Sequence, residues 1–507
     1  MNKIEKYKQV YIGLGIFAGL IYLPLLSNGL TNSDDGVWHT TAFTASDWEI
    51  SIGRWFWIYL DKIKFGINSI TLNNILSLMI MVLGLILCME CLKVEKTLFR
   101  VLGGMLFLTY PIVCDILSYS YMSMTFAMAF LLSVIAARCL LAQNNSVILG
   151  GLGSVAIACS MGCYQAYIGV TCLILLVDAI KQFCQEKEIK TTFYLLLKEG
   201  IFIAIGGVLY YGIVKLHCKI YGVTLADYKG AGSTSIKNIV FQMPETIKVT
   251  YSTWADFFWK NSLQTNPFWY RSLCKLMLCI ISVLLLIKVI QLFKEKMYFH
   301  ICFIIGLILM LPVGCNLILL LVPGSKETIL MTGAMALVFP VFLWSYDNEK
   351  WIAKYIHAFG VLISIILIWN NILTVTNDQA VMNEGRKATY TVAEQVLNSL
   401  QQEGADLTEE KVTIVGKASS YPNFGKRGNW NWANSYAQYG QFIDSPECIR
   451  MSWDGVYWNL FGLSLQMAED DVTSKVKETN EFKNMNVYPE NGSIEKINNI
   501  WVVKLEY

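Results

Sequence analysis

Two adjacent carboxylates, Asp34 and Asp35, stand in the run Asn32-Ser33-Asp34-Asp35-Gly36. A carboxylate beside a reacting hydroxyl can take its proton as a general base. The same oxygens can instead hold a divalent cation. They can also simply face water in a turn, since Asn, Ser, Asp and Gly are turn residues. Further along, Gly53-Arg54-Trp55 supplies a guanidinium. That group can grip a phosphate through two parallel hydrogen bonds, or merely extend into the lipid headgroup zone. Tyr164-Gln165-Ala166-Tyr167 puts polar groups between two apolar blocks. There they can face a cavity or satisfy backbone groups at helix ends. Lys326, between Pro323-Gly324-Ser325 and Glu327, can bind a lipid phosphate or pair with Glu327. Near the C-terminus Trp430, Trp432, Tyr436 and Tyr439 cluster among amide side chains, a composition that suits sugar rings or a packed core. His39, His217, His300 and His357 are dispersed, and no pair has metal-ligand spacing. The residues assign no cofactor; a divalent cation on the acidic pair is the alternative their chemistry leaves open.

A membrane bundle must position these groups. Hydrophobic residues make up 55% of the 507 and charged ones only 15%, where a soluble globular protein carries about 25% charged residues. The apolar residues come in blocks, and a helix needs roughly 20 of them to cross the hydrocarbon core. About eleven such spans are expected: Val10–Leu30, Ile70–Leu92, Leu98–Ile112, Tyr121–Leu141, Val147–Cys163, Gln165–Ile180, Gly200–His217, Leu273–Phe293, Ile301–Val322, Thr328–Trp344 and Trp351–Asn371. The first is too long for the apolar core of a signal peptide, and no small-residue cleavage site follows it, so it reads as a retained span. The net charge of +2 gives no reason to invoke nucleic acid. Most of the 14 cysteines lie inside apolar blocks, where they act as small hydrophobes. Cys88 and Cys91 form a CxxC with no second pair to complete a metal site.

Cations mark one side of the bundle. Alternate short loops carry Lys93, Lys96 and Arg100, then Arg138, then Lys181, Lys187 and Lys190, then Lys294 and Lys296, then Lys350 and Lys354. The positive-inside rule then predicts a cytoplasmic N-terminus. An odd number of spans puts residues 372–507 outside. Two long connections, 31–69 and 219–270, also fall outside, and both are too aromatic for disorder. Ser51–Phe65 predicts one helix along the membrane surface, with Ile52, Trp55, Phe56, Tyr59 and Ile63 on one stripe. From residue 377 the composition turns polar. A helix over Thr389–Gln402 and strand-like runs at Val412–Val415 and Trp501–Leu505 predict an α/β or α+β soluble domain.

Asn32-Ser33-Asp34-Asp35 followed by Ser51-Ile52-Gly53-Arg54-Trp55 resembles the opening of the bacterial glucosyl transferase GtrII family, which follows its first span with an Asp-Asp pair and a Gly-Arg-Trp element. Tyr110-Pro111, Cys163-Tyr164-Gln165-Ala166-Tyr167 and Leu311-Pro312-Val313-Gly314-Cys315-Asn316 fall where that family's elements are expected. The resemblance runs from Tyr11 to Asn371. It implies a polytopic α-helical membrane protein with a GT-C-like transmembrane domain over 1–371 and an extracytoplasmic domain over 372–507. It implies a glycosyltransferase in the bacterial inner membrane that takes a hexose, glucose by the family's name, from a polyprenyl-phosphate donor. The acceptor would be a cell-surface glycan or a lipid-linked molecule on the outer face. The catalytic base would be Asp34 or Asp35, and adjacency leaves the choice between them open. Arg54, Trp55, Tyr164, Gln165, Asn316 and Lys326 would bind substrate. Two other functions compete. A flippase for a lipid-linked sugar calls for inverted repeats and midplane charges, and the sequence has neither. A non-catalytic glycan-binding assembly protein would use the aromatic outer domain, and transfer of labelled sugar separates it from an enzyme.

Overall fold

The computed structural model describes residues 3–32, 44–142, 146–227, 236–260, 268–322, 328–345, 347, 354–418 and 446–506. They are mostly helical, as the apolar blocks require. Lipid offers no water to the backbone, so each span must satisfy its own N–H and C=O groups. Among the described residues seven helices are long and apolar enough to cross a membrane, or eight if one bent pair counts as a span. Tyr7–Ile21, Val147–Cys163 and Gly333–Ser345 are apolar but shorter.

Several expected spans break into pieces, each at an identifiable residue. Val10–Leu30 is α1 (Lys3–Ile21) and α2 (Leu23–Asn28), parted at Tyr22 with Pro24 opening the second helix. The single surface helix over Ser51–Phe65 is corrected to α3 (Asp47–Ser51) and α4 (Trp57–Ile63), because Gly53 between them sits at φ +82°. After α5 (Ile70–Cys91), the third span is the bent pair α6 (Thr97–Leu108) and α7 (Pro111–Ser118), inclined by 51°. Pro111 lacks the N–H that would continue α6, and it suits the first turn of α7. Then come α8 (Ser123–Ala142), α9 (Val147–Cys163), α10 (Ile168–Cys184) and α11 (Ile189–Tyr221). The last runs well beyond the expected Gly200–His217. The second long connection is largely helical: α12 (Ile236–Ala255) passes into a π-helical turn at Asp256–Lys260. It leads to α13 (Phe268–Lys294), α14 (Tyr298–Cys315), α15 (Leu317–Leu321), α16 (Gly333–Ala336) and α17 (Val338–Ser345).

Close packing and polar glue hold the centre. In lipid, small residues let helices approach and hydroxyls bond across them. A Cβ on Gly169 would collide with the Cys315 carbonyl oxygen, so α10 and α14 meet there backbone to backbone. Ser133 on α8 bonds the Ser160 hydroxyl at 2.8 Å and donates to the Tyr167 carbonyl at 2.7 Å, and Thr171 donates to the Ser133 carbonyl at 2.8 Å. These bonds fix α8, α9 and α10 around the turn at residues 163–167.

The expected boundary at residue 372 falls inside a continuous helix. α18 (Lys354–Gln402) has 49 residues, about 70 Å at 1.5 Å per residue. Its first part belongs to the main core through Ile363, Leu367, Val375 and Met382. Gln379 accepts from Leu25 N–H at 3.1 Å and donates to the Ile21 carbonyl at 3.0 Å, which stitches the α1–α2 break. From Val392 onward the same helix serves a second core with Val412, Ile414, Trp453, Tyr457, Val503 and Leu505. That core packs on β1 (Lys411–Val415), β2 (Ile494–Ile497) and β3 (Ile500–Lys504), in the order β1-β3-β2. β1 and β3 are parallel, with Val412 opposite Trp501; β2 and β3 are antiparallel. Both strands expected from sequence are present. The aromatic cluster at Trp430, Trp432, Tyr436 and Tyr439 lies outside the described residues.

Candidate active site

The segment after the acidic pair is docked against the α9–α10 turn. Its N-terminal part is set by α3, which Ser46 opens; the Ser46 N–H donates to Glu49 Oε2 at 2.7 Å. Burial pushes the Glu49 carboxyl up, although that N–H pulls the other way. Gly53 N–H then donates to the Ile50 carbonyl at 2.9 Å and Arg54 N–H to the Glu49 carbonyl at 2.7 Å, ending the helix. The turn itself is held from across the bundle. Gln165 Nε2 donates to the Ile52 carbonyl at 2.8 Å and to Tyr210 Oη at 3.0 Å. Phe56 N–H donates to the Gly162 carbonyl at 3.0 Å. A Cβ on Gly162 would come within 2.7 Å of the Trp55 indole, so the close approach of Trp55 needs that glycine.

Gly53 is fixed by conformation and by space at once. Its φ of +82° is one that side chains other than glycine rarely adopt. A Cβ there would collide with Tyr210 Oη and lie 3.1 Å from Gln165 Nε2. Left-handed backbone alone costs an L residue roughly 1–2 kcal/mol. Gly53→Ala should therefore lower the activity of this site by about tenfold and reduce thermal stability in detergent. Gly151→Ala, with open space around it, should change neither. Equal behaviour of the two variants would mean the turn bears no strain.

Arg54 and Trp55 leave this turn in different directions. The Arg54 guanidinium lies 4.9 Å from the centre of the Tyr164 ring. Its Nε is buried and has no hydrogen-bond partner among the described residues. Trp55 packs its ring on His217, with centroids 5.2 Å apart. His217 Nδ1 lies 2.9 Å from the Ile213 carbonyl oxygen, and Nε2 lies 2.9 Å from Tyr59 Oη. The carbonyl can only accept, so Nδ1 carries the proton and Nε2 accepts from the tyrosine. Trp55 is thus clamped between a glycine of α9 and an imidazole of α11.

The same end of the bundle holds both described flanks of residues 33–43. Asn32 N–H donates to the Ser118 carbonyl and Asn32 Nδ2 to Ser118 Oγ, each at 3.0 Å. Beyond the gap, Ala45 N–H donates to Asp61 Oδ2 at 2.8 Å, and Lys64 pairs with Asp61 at 2.9 Å. Burial pushes the Asp61 carboxyl up, and Lys64 and the Ala45 N–H only partly offset it. Ser118 ends α7 one turn after Asp115, a carboxylate buried in the core and within electrostatic reach of Tyr167. The Tyr167 ring lies 6.0 Å from that of Tyr164, which carries Arg54.

The structure thus gathers Arg54, Trp55, Tyr164 and Gln165 into one site. Asn316 sits at the α14–α15 break, where its Nδ2 donates to the Pro312 carbonyl at 3.1 Å, so its amide donor serves the backbone. Asp34, Asp35 and Lys326 lie outside the described residues. Sequence reasoning missed Tyr210, His217 and Asp115. The histidines suggest only metal ligation, which their spacing does not support, and nothing local in the sequence marks Asp115 or Tyr210. Among the described residues no group of three or more His, Cys, Asp and Glu side chains is placed to hold a metal.

No curated protein and no solved structure matches this chain. The family model for glucosyl transferase GtrII matches residues 23–346. That stretch runs from α2 to α17 and contains every described residue of the site. It covers well over half of the chain, and on this ground the protein belongs to the glucosyl transferase GtrII family.

Proposed function

We propose that this chain is a GT-C-type glucosyltransferase of the bacterial inner membrane. It takes glucose from a polyprenyl-phosphate carrier and passes it to a cell-surface glycan or lipid-linked acceptor on the outer face. The observation that carries this reading is the Arg54 guanidinium, held beside Tyr164 with a buried Nε that no group among the described residues satisfies. A buried donor without a partner is costly. A phosphate oxygen is the acceptor that the proposed donor would bring.

In this mechanism the acceptor hydroxyl oxygen attacks the anomeric carbon. The bond from that carbon to the phosphate oxygen breaks, and the phosphate leaves with the electron pair. Asp34 or Asp35 takes the hydroxyl proton. Negative charge grows on the departing phosphate, where the Arg54 guanidinium stabilises it. Lys326 is a second cation for the same phosphate. Eleven spans follow if the three shorter apolar helices and the bent pair also cross. With the N-terminus in the cytoplasm, as the loop cations favour, the site and the C-terminal domain then share the outer side.

The test uses membrane vesicles of known orientation that contain the full chain. They are given polyprenyl-phosphate glucose labelled in the sugar. Label should pass to a polymer or lipid acceptor only when the outer face meets the donor. Label that crosses the bilayer still attached to its carrier, with no transfer, would overturn the proposal in favour of a flippase.

A further inference from the structure

A polar cavity lies at the other ends of the helices that build the site. α10 starts at the Gln165 turn and ends at Cys184; α11 returns from Ile189 to Tyr210 and His217. Asp178 and Gln165 are thirteen positions apart on this path, about 20 Å of helix. Around Asp178 a cavity of about 670 Å³ opens between the ends of α5, α8 and α10 and the start of α11. Lys93, Lys181, Lys187, Asp178, Gln182 and Glu199 are among the side chains that line it.

Glu199 is the unexplained group. It is only 7% exposed, it lines the cavity, and no donor among the described residues reaches it. Asp178, its acidic neighbour, accepts from Gln182 Nε2 at 2.5 Å, so that amide is already engaged. A buried carboxylate calls for a donor or a cation. Lys93 and Lys187, by contrast, stand exposed on the same cavity with no carboxylate partner among the described residues. The inner wall is therefore acidic, and the mouth carries the cations Lys93 and Lys187 beside the exposed carboxylates Glu95 and Glu188. The flank is apolar: Phe193, Tyr194, Leu197 and Ile201 on α11 point outward, interleaved with the cavity-lining Thr192, Leu195 and Glu199.

We propose that this cavity binds the headgroup of a zwitterionic aminophospholipid, with the primary ammonium on Glu199 and Asp178 and the phosphate at Lys93 and Lys187. The ammonium meets the buried carboxylates of the inner wall, and the phosphate meets the two lysines at the mouth. The acyl chains lie along Tyr194, Leu197 and Ile201, which face lipid. A free anion fits less well, since the inner carboxylates repel it. A simple metal cation leaves the lysines and the apolar flank without a role. In the orientation that the loop cations favour, the site lies on the cytoplasmic side, remote from transfer.

The test is lipid competition on the full chain in nanodiscs of phosphatidylglycerol with either phosphatidylethanolamine or phosphatidylcholine. Tightly retained lipid is read by native mass spectrometry after transfer to detergent. The choline headgroup has no N–H to donate. One retained ethanolamine lipid per chain is expected, at about tenfold preference over the choline lipid, the size of one charge-assisted hydrogen bond. Glu199→Gln should erase the preference, and Asp178→Asn should weaken it. Soluble phosphoethanolamine should compete poorly, because it lacks the chains. Equal retention of the two lipids by the unaltered protein would overturn the proposal. So would a preference that survives Glu199→Gln. Full competition by soluble phosphoethanolamine would show that the headgroup alone is bound and overturn the lipid assignment.

Discussion

Replacing Asp34 and Asp35 in turn by asparagine should leave the protein in the membrane at normal yield and cripple transfer in one variant far more than in the other. Loss of a general base costs about 10²–10⁴-fold in rate, and asparagine keeps the shape while removing the basic oxygen. The effect should fall on kcat, because the proton is transferred only as the acceptor oxygen attacks. KM for the lipid donor should stay close to its original value, since in the proposed mechanism Arg54 and Lys326, not the acidic pair, hold the donor phosphate. The described flanks make the comparison sound. Asn32 is tied to Ser118, and Ala45 to Asp61, by bonds that neither substitution touches. Full activity in both variants, at normal expression, would end the assignment of a carboxylate base in this loop.

The bundle was legible in the sequence because lipid imposes one rule. An apolar block of sufficient length must become a helix. Where the blocks proved shorter or broken, the cause is a local backbone event that hydrophobicity does not encode. Pro111 ends α6, Asn316 sits at the α14–α15 break, and Gly53 divides the expected surface helix. The stripe of Ile52, Trp55, Phe56, Tyr59 and Ile63 has helical spacing, yet Trp55 points into the bundle and Ile63 faces out. A stripe says which residues are apolar, not whether the backbone between them stays helical. The expected boundary at residue 372 lies within one helix for a related reason. Composition changes there, but no residue stops the helix, and α18 carries on from one core to the next.

The site was legible in part. The two short motifs at Gly53 and Tyr164 were each suspect for their chemistry, and the fold joins them through Gln165. Their meeting could not be read from either motif alone. It depends on Tyr210, which stands 45 positions from Gln165 and has no local signature. Polar residues at breaks in apolar blocks were the signal for this contact, since a break leaves helix-end backbone groups that need partners.

Arg54 offers the sharpest test of what this turn is for. Arg54→Gln should lower transfer by about 10²–10³-fold, the size seen when one donor to a developing oxyanion is removed. Most of that loss should appear in kcat, because the phosphate gains charge as the sugar leaves. Arg54→Lys separates two roles that Gln cannot. A lysine restores the charge but not the planar fork, and it stacks less well on Tyr164. If Arg54 only extends into the headgroup zone, lysine should recover full activity. If the guanidinium grips the phosphate through Nε and a terminal nitrogen, lysine should recover only a small part of it. Tyr164→Phe keeps the ring 4.9 Å from the cation and should cost little by comparison. The buried Nε makes the second outcome the expected one, because a cation that merely faces headgroups would keep every donor in water.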